Sequence, residues 1–366
     1  MKLERIGEYL KFNLLEHNAG IVLTQPLEDE YDLGEVLEFP RTKWEEYFSP
    51  RKCDRICRVL REIRMESELE SILASKITLL PIEDPDYPAL LREIYNPPRL
   101  LYVLGKLPTR EMIHVAVVGS RDATMAGKCA AEEIGRFLAE QGISVVSGLA
   151  RGVDRAAHRG VIASNPRGYA LAVVASGVGE YLKPRIWSFY EQILLNGSII
   201  SEFPLSFPAT KRNFPLRNRI ITGISSGTVL VEGKIRSGSM ISARLAIEQG
   251  RELFAVPGPM HSELSAGPHQ MIRSGASLLS SPKDILEDLK LEPRKLQRIE
   301  VSDEENFLLD KISEGPTDME EILYNSQLPL TKVLGLIRAL ENKDLVKRIA
   351  GNKVLRLPKP SRSRDS

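Results

Sequence analysis

From His114 onward the chain repeats one pattern that leaves few folds open: a short apolar, mostly β-branched run followed by an amphipathic stretch. The runs are HVAVVGSR, ISVVSG, YALAVVASG, SIISEF, TVLVEG and ELFAVPG. Continuous apolar runs of this kind are strands buried on both faces, as in a parallel sheet. Between them, AGKCAAEEIGRFLAEQ, GVDRAAHRGVIAS, PRIWSFYEQILLN, FPLRNRIITGIS and SMISARLAIEQG place apolar residues three and four apart, the helical period. Strand and helix in alternation predict an α/β fold with a doubly wound, mostly parallel sheet and helices on both faces. Ligands of such sheets bind beyond the carboxyl ends of the strands, where nearly every run here ends in Gly, Ser or Pro.

Two of those strand ends have anion-binding chemistry. Gly119-Ser120-Arg121 follows the first run, where small residues let backbone N–H groups approach a phosphate and Arg121 can pair with it. Ser237-Gly238-Ser239 follows the fifth and opens a helix. Small residues at strand ends are also ordinary turn chemistry. Neither G-x-G-x-x-G nor G-x-x-x-x-G-K-[ST] occurs, so a dinucleotide or a hydrolysed ATP is not indicated. A stronger signal lies in TKRNFPLRNRIIT, residues 210–222. Lys211, Arg212, Arg217 and Arg219 cluster there, and no Asp or Glu lies between Phe203 and Leu230. Phe214 sits among these cations, and Pro215 after it favours a helix start. Cations that follow phosphates and a ring that stacks on an unpaired base are the minimal kit for single-stranded nucleic acid, although a solvated basic loop has the same composition. His158, four residues after Asp154, reads as a structural helix histidine, because no nucleophile is placed near it.

The flanks differ in composition. Residues 1–75 are charged and helix-prone and predict a small helical module; 77–105, rich in proline, reads as an extended connector with a short helix at 88–95. The sheet domain then spans 76–289 and a charged linker 290–302. Residues 303–358, with three short helices and a hairpin about Ala350-Gly351-Asn352, read as a winged helix, followed by a basic tail at 359–366. Residues 300–321 hold nine acidic residues and one Lys, whereas 332–364 hold ten Lys or Arg and two acidic residues. That polarity suits either a duplex groove or an acidic protein partner. Over the whole chain Lys plus Arg (50) balances Asp plus Glu (49), so attraction for a polyanion must be local. Three cysteines without a metal-ligand pattern and no apolar run of membrane-spanning length predict a cytoplasmic protein with no metal and no membrane contact.

Taken in order, DPDYPALLREI, PPRLLYVLG, VAVVGSRDAT, GLARGVDRAAHRG, SEFP, FPLRNRIITGIS, SGSMISARLAIEQGRELFAVPG and IRSGASLL closely resemble the DNA-processing protein A (DprA, or Smf) family over roughly residues 80–350. The resemblance implies an extended Rossmann-like domain that binds single-stranded DNA in natural transformation or recombination. It also implies protection of incoming DNA, loading of the recombinase RecA onto it, dimer formation, and no nucleotide cofactor or catalytic step. Carried over by motif, the pocket would use Arg121 of GSR, Lys211, and Phe214, Arg217, Asn218 and Arg219 of FPLRNR. The chain departs from the family pattern at ASGVGEYLKPR and VEGKIRSGS, and its first 75 residues lack the glycine signature of a helix-hairpin-helix. More distantly, the fold and the glycine-rich strand ends resemble a rival of another class, the Rossmann-like nucleoside-monophosphate phosphoribohydrolases; of their PGGxGTxxE motif with its catalytic Glu, SSGTVLVEGK keeps Gly227-Thr228 and Glu232 but lacks the leading PGG and the spacing.

Overall fold

The computed structural model describes residues 3–28, 31–164, 168–182, 189–294, 301–313, 315–343, 345–349 and 351–356. Its main sheet is built from β1 (Thr78–Pro81), β2 (Leu100–Gly105), β3 (His114–Val118), β4 (Ser144–Ser147), β5 (Ala170–Val173), β6 (Ser198–Ser201), β7 (Gly227–Leu230), β8 (Glu252–Ala255) and β9 (Ser277–Leu278). The strand order is β1-β2-β6-β5-β4-β3-β7-β8-β9. All pairs from β6 to β9 are parallel, while β1 and β2 form an antiparallel margin. The chain therefore winds outward from β3 through β4 and β5 to β6, returns to the other side of β3 at β7, and winds outward again. The six apolar runs are β3 to β8, as the alternation predicts.

Residues 77–105 are not simply a connector. They contain β1, β2 and the short helix Ala89–Arg92. Pro81 is accommodated because β1 is the outermost strand, where a missing N–H costs no ladder bond. Along β3 the side chains alternate between two apolar layers: Val115 and Val117 join one, Ala116 and Val118 the other. The helices Met125–Glu140 and Val153–Ile162 cover the first layer, and Asn213–Ile224 and Gly238–Glu248 the second. Burying each such valine contributes about 1.5–3 kcal/mol, which is why both faces must be covered.

The first layer continues without a break into the N-terminal helices, where Phe12, Leu15, Trp44 and Ile56 are buried in the same cluster as Tyr102 and Val117. A polar clasp fixes the helix Leu3–Ala19 to the sheet. Asn13 Nδ2 donates to the Glu202 carbonyl at 2.8 Å, and the Tyr102 hydroxyl donates to Asn13 Oδ1 at 3.2 Å. At the other end of the chain, helices Asp303–Leu309, Met319–Ser326 and Leu330–Asn342 pack around a separate apolar cluster with β10 (Pro316–Asp318), β11 (Val346–Ile349) and β12 (Lys353–Arg356). These strands pair antiparallel in the order β10-β12-β11. Three helices and a hairpin are thus present, with an extra strand the sequence pattern did not suggest. The basic tail at 359–366 and Ala350 lie outside the described residues.

Candidate nucleic-acid interface

The sheet reverses its winding direction between β3 and β7, and a crevice opens there at the carboxyl ends of the strands. The cavity, about 350 Å3, is lined by Gly119, Ser120 and Arg121 after β3, Ala150 and Asp154 after β4, and Lys234 with Ser237, Gly238 and Ser239 after β7. Two motifs more than a hundred positions apart in sequence thus form opposite walls. Ser237 is the N-cap residue of the helix Gly238–Glu248, yet its hydroxyl pairs with the Ser239 hydroxyl at 2.9 Å and makes no cap bond to the backbone. The first turn of that helix is left with N–H groups for an anion.

Beside the crevice runs the helix Asn213–Ile224. Lys211 and Arg212 are exposed just before it and make no ion pair among the described residues. Phe214 is half-buried, and the exposed guanidinium of Arg121 lies over its ring, 4.6 Å from the centroid. Cation and ring therefore form one platform at the mouth of the crevice. Asn218 also lines the crevice and donates from Nδ2 to the Gly238 carbonyl at 3.4 Å, linking the two walls.

Arg217 and Arg219 depart from expectation, because both are turned away from solvent. Arg217 is only 4% exposed, and its Nη1 donates to the Val173 carbonyl at 3.1 Å. Gly148 is required opposite it, since a Cβ there would lie 1.4 Å from Arg217 Nη1. Burial lowers the Arg217 pKa, an effect offset chiefly by the nearby Asp154 carboxylate. Burial likewise raises the Asp154 pKa, with Arg217 and the N–H of Gly148 opposing it. Arg219 is paired with Glu202 and donates to the Asn96 carbonyl at 2.7 Å. The Arg217 guanidinium is enclosed, and that of Arg219, which lines a second cavity, is engaged by Glu202 and Asn96. The helical phase carried this signal: Arg217 lies three and four residues before Ile220 and Ile221, on the buried stripe with Asn213 and Ile224.

Sequence reasoning also missed Lys234, the one cation that the VEGKIRSGS departure brings into the crevice lining. It pairs with Glu263 at 2.5 Å, and Arg151 pairs with Asp122 at the same distance. Exposed pairs of this kind are worth no more than about 1 kcal/mol and exchange readily for a phosphate. His158 is fully buried near the backbone of Val145 and Leu171, and burial lowers its pKa to about 4. It does not line the crevice. Glu232 is committed to structure. Its Oε1 accepts from the Thr124 hydroxyl at 2.7 Å and its Oε2 from the Thr124 N–H at 2.9 Å, at the start of the helix Met125–Glu140. Among the described residues no group of His, Cys, Asp and Glu is arranged to hold a metal, and no helix is long and apolar enough to cross a membrane.

The winding order and the polar crevice at the reversal point define a Rossmann-like α/β protein. Residues 78–290 match the family described as DNA recombination-mediator protein A, and the chain belongs to that family. Protein Smf of Escherichia coli is 41% identical over 214 residues, which are 58% of this chain and 56% of that protein. DNA processing protein DprA of Bacillus subtilis is 35% identical over 214 residues, 58% of this chain and 71% of the relative. The matched region thus spans little more than half the length of the E. coli protein. The crystal structure of DNA processing protein A from Streptococcus pneumoniae superposes with a TM-score of 0.64 at 31% identity, covering 78% of this chain and 99% of that one.

Proposed function

We propose that this chain binds single-stranded DNA in transformation or recombination, with phosphates on Lys211 and Arg121 and in the crevice between Gly119-Ser120 and Ser237-Gly238-Ser239. The observation that carries this reading is the Arg121 guanidinium over the Phe214 ring at the mouth of a crevice rich in backbone donors. Such a platform suits an unpaired base of any identity and its adjoining phosphate, and a base inside a duplex does not reach it. In the reading, Asn218 ties the helix to the Ser237 wall, and Arg217 and Arg219 hold the helix in place from behind. The role is binding, with no catalytic step assigned. The two bonds from Thr124 to Glu232 support a structural role for that carboxylate over a phosphoribohydrolase's.

The family's description as a recombination mediator supports the finer reading that the bound strand is passed to RecA. A further part of the reading is that two chains act together. For the second point, Met271 and Leu279 are buried in the core, whereas Leu278 on the open edge strand β9 is 50% exposed. The C-terminal unit, read as a winged helix, would add a duplex or protein contact. Fluorescence anisotropy of the full chain with labelled single- and double-stranded oligonucleotides tests the central claim. Tighter binding to the single strand with little sequence dependence is expected, and equal or tighter binding to the duplex overturns it. Sedimentation at micromolar concentration tests the dimer.

A further inference from the structure

A second cavity, larger than the crevice, lies between the N-terminal helix and the sheet domain, with a volume of about 610 Å3. That is within the range of roughly 300–1,000 Å3 typical of small-molecule sites. Its aromatic wall is Phe207, stacked on the buried Phe203 at 5.4 Å with 10° between the rings, with the His17 ring 5.7 Å from Phe207. Several polar groups on other walls have atoms without a protein partner, among them Oε1 of Glu202 and Nε of Arg219, both buried. Glu16 spends Oε1 on the Leu23 N–H at 2.8 Å and leaves Oε2 free, and Arg99 has a buried Nε with no acceptor. Burial pushes the Glu16 carboxyl up to about 7, so the ionised form that accepts from two N–H donors dominates above that pH. Lys211 and Arg212 also line this cavity and remain unpaired.

We infer that this cavity takes a guanine nucleotide, its ring against Phe207, its edges on Glu16 and Arg99, and its phosphate on Lys211 and Arg212. The choice of base follows from hydrogen-bond inventory. Guanine presents an acceptor pair, O6 and N7, that suits an arginine, and next to it N–H donors at N1 and N2 that suit a carboxylate. Adenine and cytosine bring a single amino group to the carboxylate, and thymine flanks its one N–H with carbonyls that Glu16 repels. A wall of stacked rings favours the largest aromatic surface, which is again a purine. The nucleotide could be a unit of the strand or a free monophosphate, and Lys211 and Arg212 suit either. The strand form rests on the function proposed above, whereas the free form does not.

Calorimetric titration of the full chain with 5′-dGMP, 5′-dAMP, 5′-dCMP and 5′-dTMP tests the free form. Anisotropy with dT8, and with the same oligomer carrying one central dG, tests the strand form. The expected result is at least a tenfold preference for guanine in one arm, lost in Val22→Trp. Val22 lines the cavity and is 51% exposed, so a larger ring there fills the space without entering the core. Binding of dT8 by that variant should stay within twofold of wild type. Phe207→Leu, which keeps apolar bulk and removes the ring, should lose the preference as well, with thermal melting confirming that it is folded. No guanine preference in either arm overturns the inference while leaving dT8 binding, and the proposed function, intact. A preference that survives both variants also overturns it, because the base then sits elsewhere. Failure to bind dT8 at all instead removes the proposed function and leaves the nucleotide arm to decide.

Discussion

At the scale of single residues, the basic stretch 210–222 divides into cations that face solvent and cations that hold the fold. Replacing Lys211 or Arg121 with Ala should weaken binding to every oligonucleotide and reduce the slope of log K against log salt by roughly 0.7, as expected for one lost single-strand phosphate contact. Salt titrations by anisotropy measure this. Phe214→Ala should do more than remove a stacking surface, because it frees the Arg121 guanidinium now held over the ring. Affinity should fall by about 1–3 kcal/mol, with a smaller change in salt slope than for Arg121→Ala. Arg217→Ala should behave differently. It strands the buried Asp154 carboxylate and opens space beside Gly148, so urea unfolding should show a loss of about 3–5 kcal/mol. The cations themselves could be read from the sequence. Their directions could not be read from charge, since Lys211 precedes the helix while Arg217 lies on its buried stripe, and that phase shows only once the helix start at Asn213 is known.

At the scale of elements, the six core strands were legible because burial on both faces forces continuous β-branched runs. The outer strands were not. β1 has four residues and ends on Pro81, β2 closely follows the proline-rich stretch 81–98, and β9 has two residues, too few to show any period. Three-dimensional pairing makes these strands, through partners such as Tyr102 opposite Ser201 that no local pattern announces. The crevice was half legible: both of its motifs were evident, but their meeting depends on β3 and β7 being neighbours. The loop after β7 also anchors the opposite side. Glu232→Ala should leave the Thr124 N–H and hydroxyl without their acceptor and destabilise the chain by about 1–3 kcal/mol in urea unfolding. An enzyme using Glu232 would instead lose turnover on nucleoside monophosphates with its stability unchanged, so one variant separates the two accounts.

For the whole molecule, burial of ionisable groups makes stability depend on pH. His114 and His158 are both held near a pKa of about 4, against about 6.5 when unfolded. Below pH 6.5 the unfolded chain therefore binds more protons than the folded one. The stability these residues contribute is present above 6.5, falls as the pH drops toward 4, and changes no further below that. Each accounts for roughly 3 kcal/mol at most. Buried carboxyls with raised pKa values, Glu16 and Glu202 among them, act in the opposite sense, so a difference measurement is needed. Unfolding free energies of wild type and His158→Gln between pH 4 and 6.5 should show a slope shallower in the variant by up to about 1.4 kcal/mol per pH unit. The winding order also sets a timetable for synthesis. The central strand β3 pairs with β7, Val115 opposite Gly227, and β2 must wait for β6. At about 5–20 residues per second a ribosome needs roughly 5–20 s to make the hundred or so residues between β3 and β7. Throughout that interval the sheet has an open seam at its middle, the place where the crevice will form. A nascent chain stalled before β7 therefore lacks the crevice, however complete its basic residues, and presents a sticky apolar edge that chaperones would have to shield.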